Sequence, residues 1–97
     1  MNRENILTTL QKQRPKLSTL GIKTLALFGS AARDEIHAGS DIDILVSFRH
    51  TPVTFDAYMD IKIFLEDLLA VPVDLVVDEA LRPRLRPFVQ KDIVYVA

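Results

Sequence analysis

The sequence contains no cysteine, which excludes disulfides, thiolate nucleophiles and metal sites with cysteine ligands. It also lacks any apolar run that approaches the ~20 residues of a membrane-spanning helix. Glu4 and its polar neighbours occupy the region where a signal peptide would have an unbroken apolar stretch. These absences predict a cytoplasmic protein with no membrane partner.

Neither sign of charge dominates, because 12 lysines and arginines stand against 13 aspartates and glutamates, for a net charge of −1. Without a basic field, nothing drives sequence-independent binding to nucleic acid, and no direct nucleic-acid partner is expected. The 97 residues, 48% of them hydrophobic, suffice for one core and hence for a single domain over residues 1–97. Little chain is left for a separate lobe that would bind a second substrate.

Hydrophobic periodicity predicts alternating helices and strands. Helices are expected over residues 3–20 with an interruption at Pro15, over 31–36, from a Thr54 cap to residue 69, and over 82–91. Strands are expected over residues 22–28, 41–48, 72–77 and 93–96. This order predicts an α/β fold, a small mixed sheet of about four strands with helices on one face and the other face open. Core aromatics are expected at Phe55, Tyr58 and Phe64.

Two aspartates stand two residues apart on the second predicted strand. Asp41 and Asp43 project from the same face, with Cα atoms about 6–7 Å apart. Two carboxylates at about 4 Å repel by about 4 kcal/mol at an effective dielectric of about 20, so a proton or a cation must relieve them. Oxygen-only ligation favours Mg²⁺ or Mn²⁺. On spacing alone, a solvated strand edge is an equally good interpretation.

Asp74 offers a third carboxylate on another predicted strand, and an adjacent strand could bring it beside the first two. Three acids around paired metal ions stabilise the attacking and leaving oxygens of an in-line nucleotidyl displacement, and one acid can act as the base. Taken alone, Asp74 is better explained as an acid at a strand end that accepts hydrogen bonds from the backbone.

Gly29 and Ser30 lie between an apolar strand and a predicted helix start, where N–H groups and a hydroxyl can receive phosphate oxygens. The segment is not a Walker loop, since the second glycine and the Gly-Lys pair are missing. A tight turn capped by Ser30 remains the alternative.

Together, Gly29-Ser30-x-x-Arg33 followed by Ser40-Asp41-x-Asp43 resembles the signature of the DNA polymerase beta nucleotidyltransferase superfamily. More narrowly, the chain resembles the minimal nucleotidyltransferases, short prokaryotic proteins that are often encoded beside a HEPN-type toxin and are regarded as its antitoxins. The resemblance covers nearly the whole chain, including Asp74 and the C-terminal residues 81–96. It implies a palm-like core.

The resemblance also implies a role for each residue of the motif. The implied metal ligands and catalytic residues are Asp41, Asp43 and Asp74, holding one or two Mg²⁺ ions, and the implied nucleotide-binding residues are Gly29, Ser30, Arg33 and Ser40. From its chemistry, Arg33 could equally brace the acidic loop by a bidentate contact. Asp34 departs from the pattern, because many relatives have glycine directly after the motif arginine.

The implied reaction is the transfer of AMP from ATP to a tyrosine hydroxyl of the HEPN-type toxin. Two other functions stay open: an antitoxin that masks its partner without catalysis, and nucleotidyl transfer to a small molecule, which would require an acceptor pocket. A cluster at Arg82, Arg84 and Arg86 could contact an acidic partner, although a solvated helix face is its simpler interpretation.

Overall fold

Helices and strands alternate along residues 1–96, the part of the chain that the computed structural model describes. The helices are α1 Arg3–Lys12, α2 Arg14–Thr19, α3 Gly29–Ala32, α4 Phe55–Leu69 and α5 Arg86–Gln90. The strands are β1 Ile22–Leu27, β2 Ile42–Phe48, β3 Val73–Val77 and β4 Val94–Tyr95. Two short 3-10 turns, Asp78–Ala80 and Pro83–Leu85, precede α5. No helix of residues 1–96 is long and apolar enough to cross a membrane.

The four strands form one mixed sheet in the order β3-β2-β1-β4. β1 is antiparallel to both β2 and β4, whereas β2 and β3 are parallel. Parallel neighbours need a crossover connection, and α4 supplies it. The predicted α/β fold with a small mixed sheet is confirmed.

Local signals set the ends of the helices. Pro15 lies in the first turn of α2, where its missing N–H costs no helical hydrogen bond, so the interruption falls where it was predicted. The Thr54 side chain accepts a hydrogen bond from the Ala57 N–H at 3.1 Å and caps α4. Phe55 is 76% exposed, and its prediction as a core residue was wrong. Six residues before the buried Ile61, it lies about 120° away around the helix.

The main core lies between one face of the sheet and helices α1 and α4. From β2 it receives Ile42, Ile44, Val46 and Phe48, and from the helices Ile6, Leu10, Ile61 and Leu65. The other face carries a smaller cluster of Ala26, Leu45 and Val89. Because Val89 belongs to α5, the prediction that helices cover only one face needs correction: α5 covers the apolar part of the second face.

The short helix after β1 also differs from the prediction. It was expected over residues 31–36, with Gly29 and Ser30 in a preceding turn, but α3 already begins at Gly29 and ends at Ala32. Asp34 adopts a left-handed backbone conformation with φ of 61°, which is incompatible with a continuing helix. Its Oδ1 accepts a hydrogen bond from the Arg3 N–H at 2.8 Å, at the start of α1. Asp34 thus adopts the left-handed conformation that glycine adopts most easily.

Candidate active site

The three predicted acids meet at one end of the sheet. Asp43 on β2 is the register partner of Asp74 on β3. Neighbouring strands lie about 4.8 Å apart, and register partners project from the same face. Asp41 lies directly before β2, close enough for its negative charge to act on the Asp43 carboxyl group. The prediction that an adjacent strand brings Asp74 beside the first two acids is therefore confirmed.

The carboxyl group of Asp43 is the most perturbed acid of the three. Its pKa is raised, first by burial, then by the negative charge of Asp74 and a hydrogen bond with it, and then by the charge of Asp41. The positive charge of Arg33 acts in the opposite direction. A second positive charge at this point would therefore be favourable.

No group of three potential ligands among residues 1–96 has the geometry to enclose a metal ion. Asp41 and Asp74 are exposed and Asp43 is half-buried, so the acids lie on an open shelf rather than in a cage. Mg²⁺ normally binds to one or two carboxylates and takes its remaining ligands from phosphate and water. The carboxylates of Asp41, Asp43 and Asp74 therefore fit an Mg²⁺ ion that takes its other ligands from phosphate and water.

Gly29 lies against the acids. Its φ is +60°, and a Cβ atom at this position would collide with the Asp43 carboxylate. The neighbouring Phe28 N–H donates to the Asp43 carbonyl oxygen at 3.1 Å, which holds this end of β1 to β2. Only glycine satisfies both the backbone conformation and the contact. Gly29 therefore allows the backbone at the start of α3 to approach the acids.

Ser30 lies in the first turn of α3 and does not cap it. The N-cap residue is Phe28, and this cap has no side-chain hydrogen bond. Within residues 1–96, the Ser30 hydroxyl makes no hydrogen bond of its own. The alternative in which Ser30 caps the turn is thus not what the structure contains, and the hydroxyl remains available to a ligand.

Arg33 braces the loop that follows α3. Its Nε donates to Glu35 Oε2 at 3.3 Å, and its Nη1 donates to Asp92 Oδ2 at 3.0 Å. Hydrogen bonds to Asp92 and then to Glu35 raise the pKa of the guanidinium group. Sequence analysis missed both partners. Asp92 lies 59 residues away, and no local pattern connects it to Arg33.

Ser40 has a different setting from the rest of the motif. It precedes Asp41 in sequence, its N–H donates to the His37 carbonyl oxygen at 3.0 Å, and it borders a cavity of about 330 Å³ together with Ile42 and Pro72. The structure brings Gly29 and the three acids together, whereas Ser40 lies in the loop beside them.

The nucleotidyltransferase domain family matches residues 9–96. A protein adenylyltransferase, MntA of Thermococcus cleftensis, is 34% identical over 93 residues, which is 96% of this chain and 91% of the relative. A solved structure described as a minimal nucleotidyltransferase has a TM-score of 0.82 at 33% identity and covers 97% of this chain and 95% of that one. A chain of a toxin–antitoxin crystal structure with AMP-PNP has a TM-score of 0.70 at 27% identity. The match covers 100% of this chain and 73% of that one.

The chain belongs to the nucleotidyltransferase domain family. The predicted placement among the minimal nucleotidyltransferases and the predicted class of enzyme, a nucleotidyltransferase, are both confirmed. Its relative in Thermococcus cleftensis is named a protein adenylyltransferase.

Proposed function

We propose that this chain transfers AMP from ATP to a tyrosine hydroxyl of a HEPN-type toxin and so acts as its antitoxin. The observation that carries the proposal is the pairing of Asp43 with Asp74, beside Asp41 and directly against Gly29. Clustered carboxylates next to a backbone segment that can receive phosphate are what a nucleoside triphosphate with Mg²⁺ requires.

In the proposed ATP complex, the Gly29 backbone and the Ser30 hydroxyl receive phosphate oxygens. Ser40, next to Asp41, contributes to the nucleotide site from the loop that precedes β2. Arg33 acts mainly by positioning the site. Its contacts with Glu35 and Asp92 hold the loop that connects the Gly29-Ser30 segment to the Asp41-x-Asp43 segment.

Asp41, Asp43 and Asp74 would hold one or two Mg²⁺ ions. The raised pKa of Asp43, caused by burial and by the other two acids, supports a cation at this position. When bound, Mg²⁺ would neutralise phosphate charge and stabilise the attacking and leaving oxygens of an in-line displacement.

In the proposed reaction, the tyrosine oxygen bonds to the α-phosphorus of ATP while the bond from this phosphorus to the bridging oxygen breaks. Pyrophosphate leaves with that bonding electron pair. The tyrosine proton passes to the Asp74 carboxylate, which acts as the general base and later releases the proton to solvent. Asp74 suits this role because its carboxylate is exposed on the shelf, where the hydroxyl of a docked protein can reach it.

An open shelf favours a protein acceptor over a small molecule. Small-molecule sites usually bury most of their ligand in a cleft. The exposed Asp41 and Asp74 provide no such enclosure. A docked protein could supply both the missing wall and the nucleophile.

The proposal is tested by incubating the protein with labelled ATP, Mg²⁺ and a HEPN-type protein. We expect label on the HEPN-type protein, and we expect the Asp41→Asn/Asp43→Asn double variant to transfer it about 10³-fold more slowly or worse. Asp60→Asn, an exposed change on α4, is the matched control and should transfer label normally. No label with the wild-type chain, or full toxin neutralisation by the double variant, would favour an antitoxin that acts only by masking.

A further inference from the structure

Residues 81–93, here called the C-terminal arm, lie on the face of the sheet that carries the acids. Val89 of the arm packs with Ala26 and Leu45 on that face. Leu45 follows Asp43 by two residues on β2, a distance of about 7 Å along one face of the strand. The arm is therefore a neighbour of the catalytic acids.

Ion pairs hold the arm near its middle and near its C-terminal end. Arg86 Nη1 donates to Asp78 Oδ1 at 2.8 Å, just after β3. Asp92 Oδ2 accepts a hydrogen bond from Arg33 Nη1 at 3.0 Å, which ties the C-terminal end of the arm to the loop after α3. A surface that is already held in place loses less conformational entropy when a partner binds.

Four residues of the arm form an exposed surface, here called the docking patch: Arg82, Arg84, Leu85 and Phe88. Leu85 is 44% exposed and Phe88 is 76% exposed. Both arginines are exposed too. Aromatic residues and arginines are enriched at protein–protein interfaces and among the residues that dominate their binding energy.

The two arginines of the docking patch differ from the other arginines of the described chain. Side-chain hydrogen bonds are donated by Arg3, Arg14, Arg33, Arg49 and Arg86. The guanidinium groups of Arg82 and Arg84 make no hydrogen bond or ion pair with any of residues 1–96, although the Arg82 backbone carbonyl accepts from the Leu85 N–H at 2.9 Å. Two guanidinium groups beside exposed apolar side chains therefore remain available to carboxylates of another molecule.

We infer that the docking patch binds the acceptor protein, through an acceptor surface that combines carboxylates with an apolar pocket. The inference rests on the proposed function, because it assigns the acceptor of that reaction to a place on this chain. Arg82 and Arg84 select carboxylates, and Leu85 and Phe88 select the apolar pocket. An acceptor seated there lies on the same face as Asp43 and can present its hydroxyl to the shelf.

Charge favours a protein over nucleic acid as the occupant. The chain has a net charge of −1, and the acids of the site project from the face on which the arm lies. A phosphate backbone bound along this face would be repelled by them, whereas a protein places its carboxylates only opposite the arginines.

The test uses two variants of the full chain, Arg82→Glu/Arg84→Glu and Phe88→Ser. Binding of the HEPN-type protein is measured by calorimetry without ATP, and steady-state transfer is measured with labelled ATP and Mg²⁺. We expect each variant to weaken acceptor binding and raise the acceptor KM about tenfold or more, with kcat and the KM for ATP unchanged. For the wild-type chain, binding should weaken as ionic strength rises, and the charge reversal should invert this dependence, because salt then screens a repulsion.

The chain supplies matched controls for both variants. Phe55 is 76% exposed, like Phe88, but begins α4 on the other side of the sheet, so Phe55→Ser should bind and transfer normally. Lys12→Glu/Lys16→Glu makes the same charge change on α1 and α2 and should also leave acceptor binding unchanged.

Several results would overturn the inference. One is that both variants bind the acceptor as the wild-type chain does, and another is that they raise the KM for ATP instead of the KM for the acceptor. The inference also fails if the variants lose a binding to single-stranded RNA or a self-association that the wild-type chain has, because the patch would then bind nucleic acid or a second copy of the chain. A wild-type chain that binds the acceptor through the patch but transfers no label would instead contradict the proposed reaction. If the wild-type chain neither binds nor labels this protein, both proposals fail.

Discussion

The two faces of the sheet come from the same strands but serve different purposes. On the face covered by α1 and α4, Ile42, Ile44 and Val46 are at most 1% exposed. On the opposite face of β2, Asp43 is half-buried, whereas Leu45, two residues later, is buried together with Val89. One face is sealed along its whole length and the other only at one end. Stability is therefore concentrated on the first face, and the cluster of acids lies at the open end of the second.

The largest effect on stability is expected on the sealed face. Ile44→Ala should lower the free energy of unfolding by about 2–5 kcal/mol, because it removes buried methyl groups and leaves a cavity. Ile63→Ala, at a position that is 51% exposed, is the control and should change stability by no more than about 0.5 kcal/mol. Denaturant midpoints measure both. Similar losses in the two variants would contradict the difference between the faces.

On the open face, Ser30→Ala should impair function while sparing the fold. Loss of one hydrogen bond to a charged phosphate lowers catalytic efficiency by about ten- to hundredfold, which corresponds to about 1.5–3 kcal/mol. Stability should hardly change, because the hydroxyl neither caps α3 nor bonds to another of residues 1–96. Transfer rate and denaturant midpoint are measured on the same variant. A lower midpoint with an unchanged rate would remove Ser30 from the site.

Gly29→Ala should affect both stability and transfer. A side chain at φ of +60° costs about 1–2 kcal/mol, and the new Cβ would displace the Asp43 carboxylate, so transfer should be lost. Gly21→Ala is the matched control, since φ is +88° there and no atom lies within 4 Å of the added Cβ. It should lose a similar amount of stability and keep its transfer activity. Equal activity in the two folded variants would contradict the contact between Gly29 and Asp43.

The smallest effect concerns the charge of Asp43. Its raised pKa means that the folded state binds this proton more tightly than the unfolded state, so stability falls as pH rises through the window between the ordinary and the raised pKa. Above that window, in metal-free protein, Asp43→Asn should raise the free energy of unfolding by about 0.5 kcal/mol, since solvent screens the partly exposed carboxylates. Asp60→Asn should show no such gain.

Mg²⁺ sharpens this last prediction. If the acids share a cation, Mg²⁺ with an ATP analogue should raise the melting temperature of the wild-type chain and not that of Asp43→Asn. Stabilisation of both proteins to the same extent would place the ion elsewhere.

The buried positions were largely predictable from the sequence, because they depend on short-range periodicity. The alternation in β2 predicted which residues enter the core, and the stripe through Ile61 and Leu65 predicted the buried side of α4. Phe55 escaped the rule, because it lies at the very start of the helix and off the stripe. For α3, four residues are too few for any period to define its ends.

Part of the candidate site could also be predicted from the sequence. The Gly29-Ser30 and Asp41-x-Asp43 motifs are local, and the resemblance that they carry was sufficient to identify the family. The partners of Arg33 were not predictable, because an arginine pairs with whichever carboxylate the fold brings within reach, and here one of them follows α5. The same holds for the docking patch, since exposure and the lack of an ion pair are properties of the packed chain.

By itself, the sequence determined the order of helices and strands, the sealed face of the sheet and the motif residues, because each depends on neighbours along the chain. Only the tertiary structure decided that Asp74 lies opposite Asp43, that Asp92 holds Arg33, and that α5 covers one end of the acidic face. These contacts join segments that are far apart in sequence, and strand register and packing, rather than local pattern, determine which of them meet.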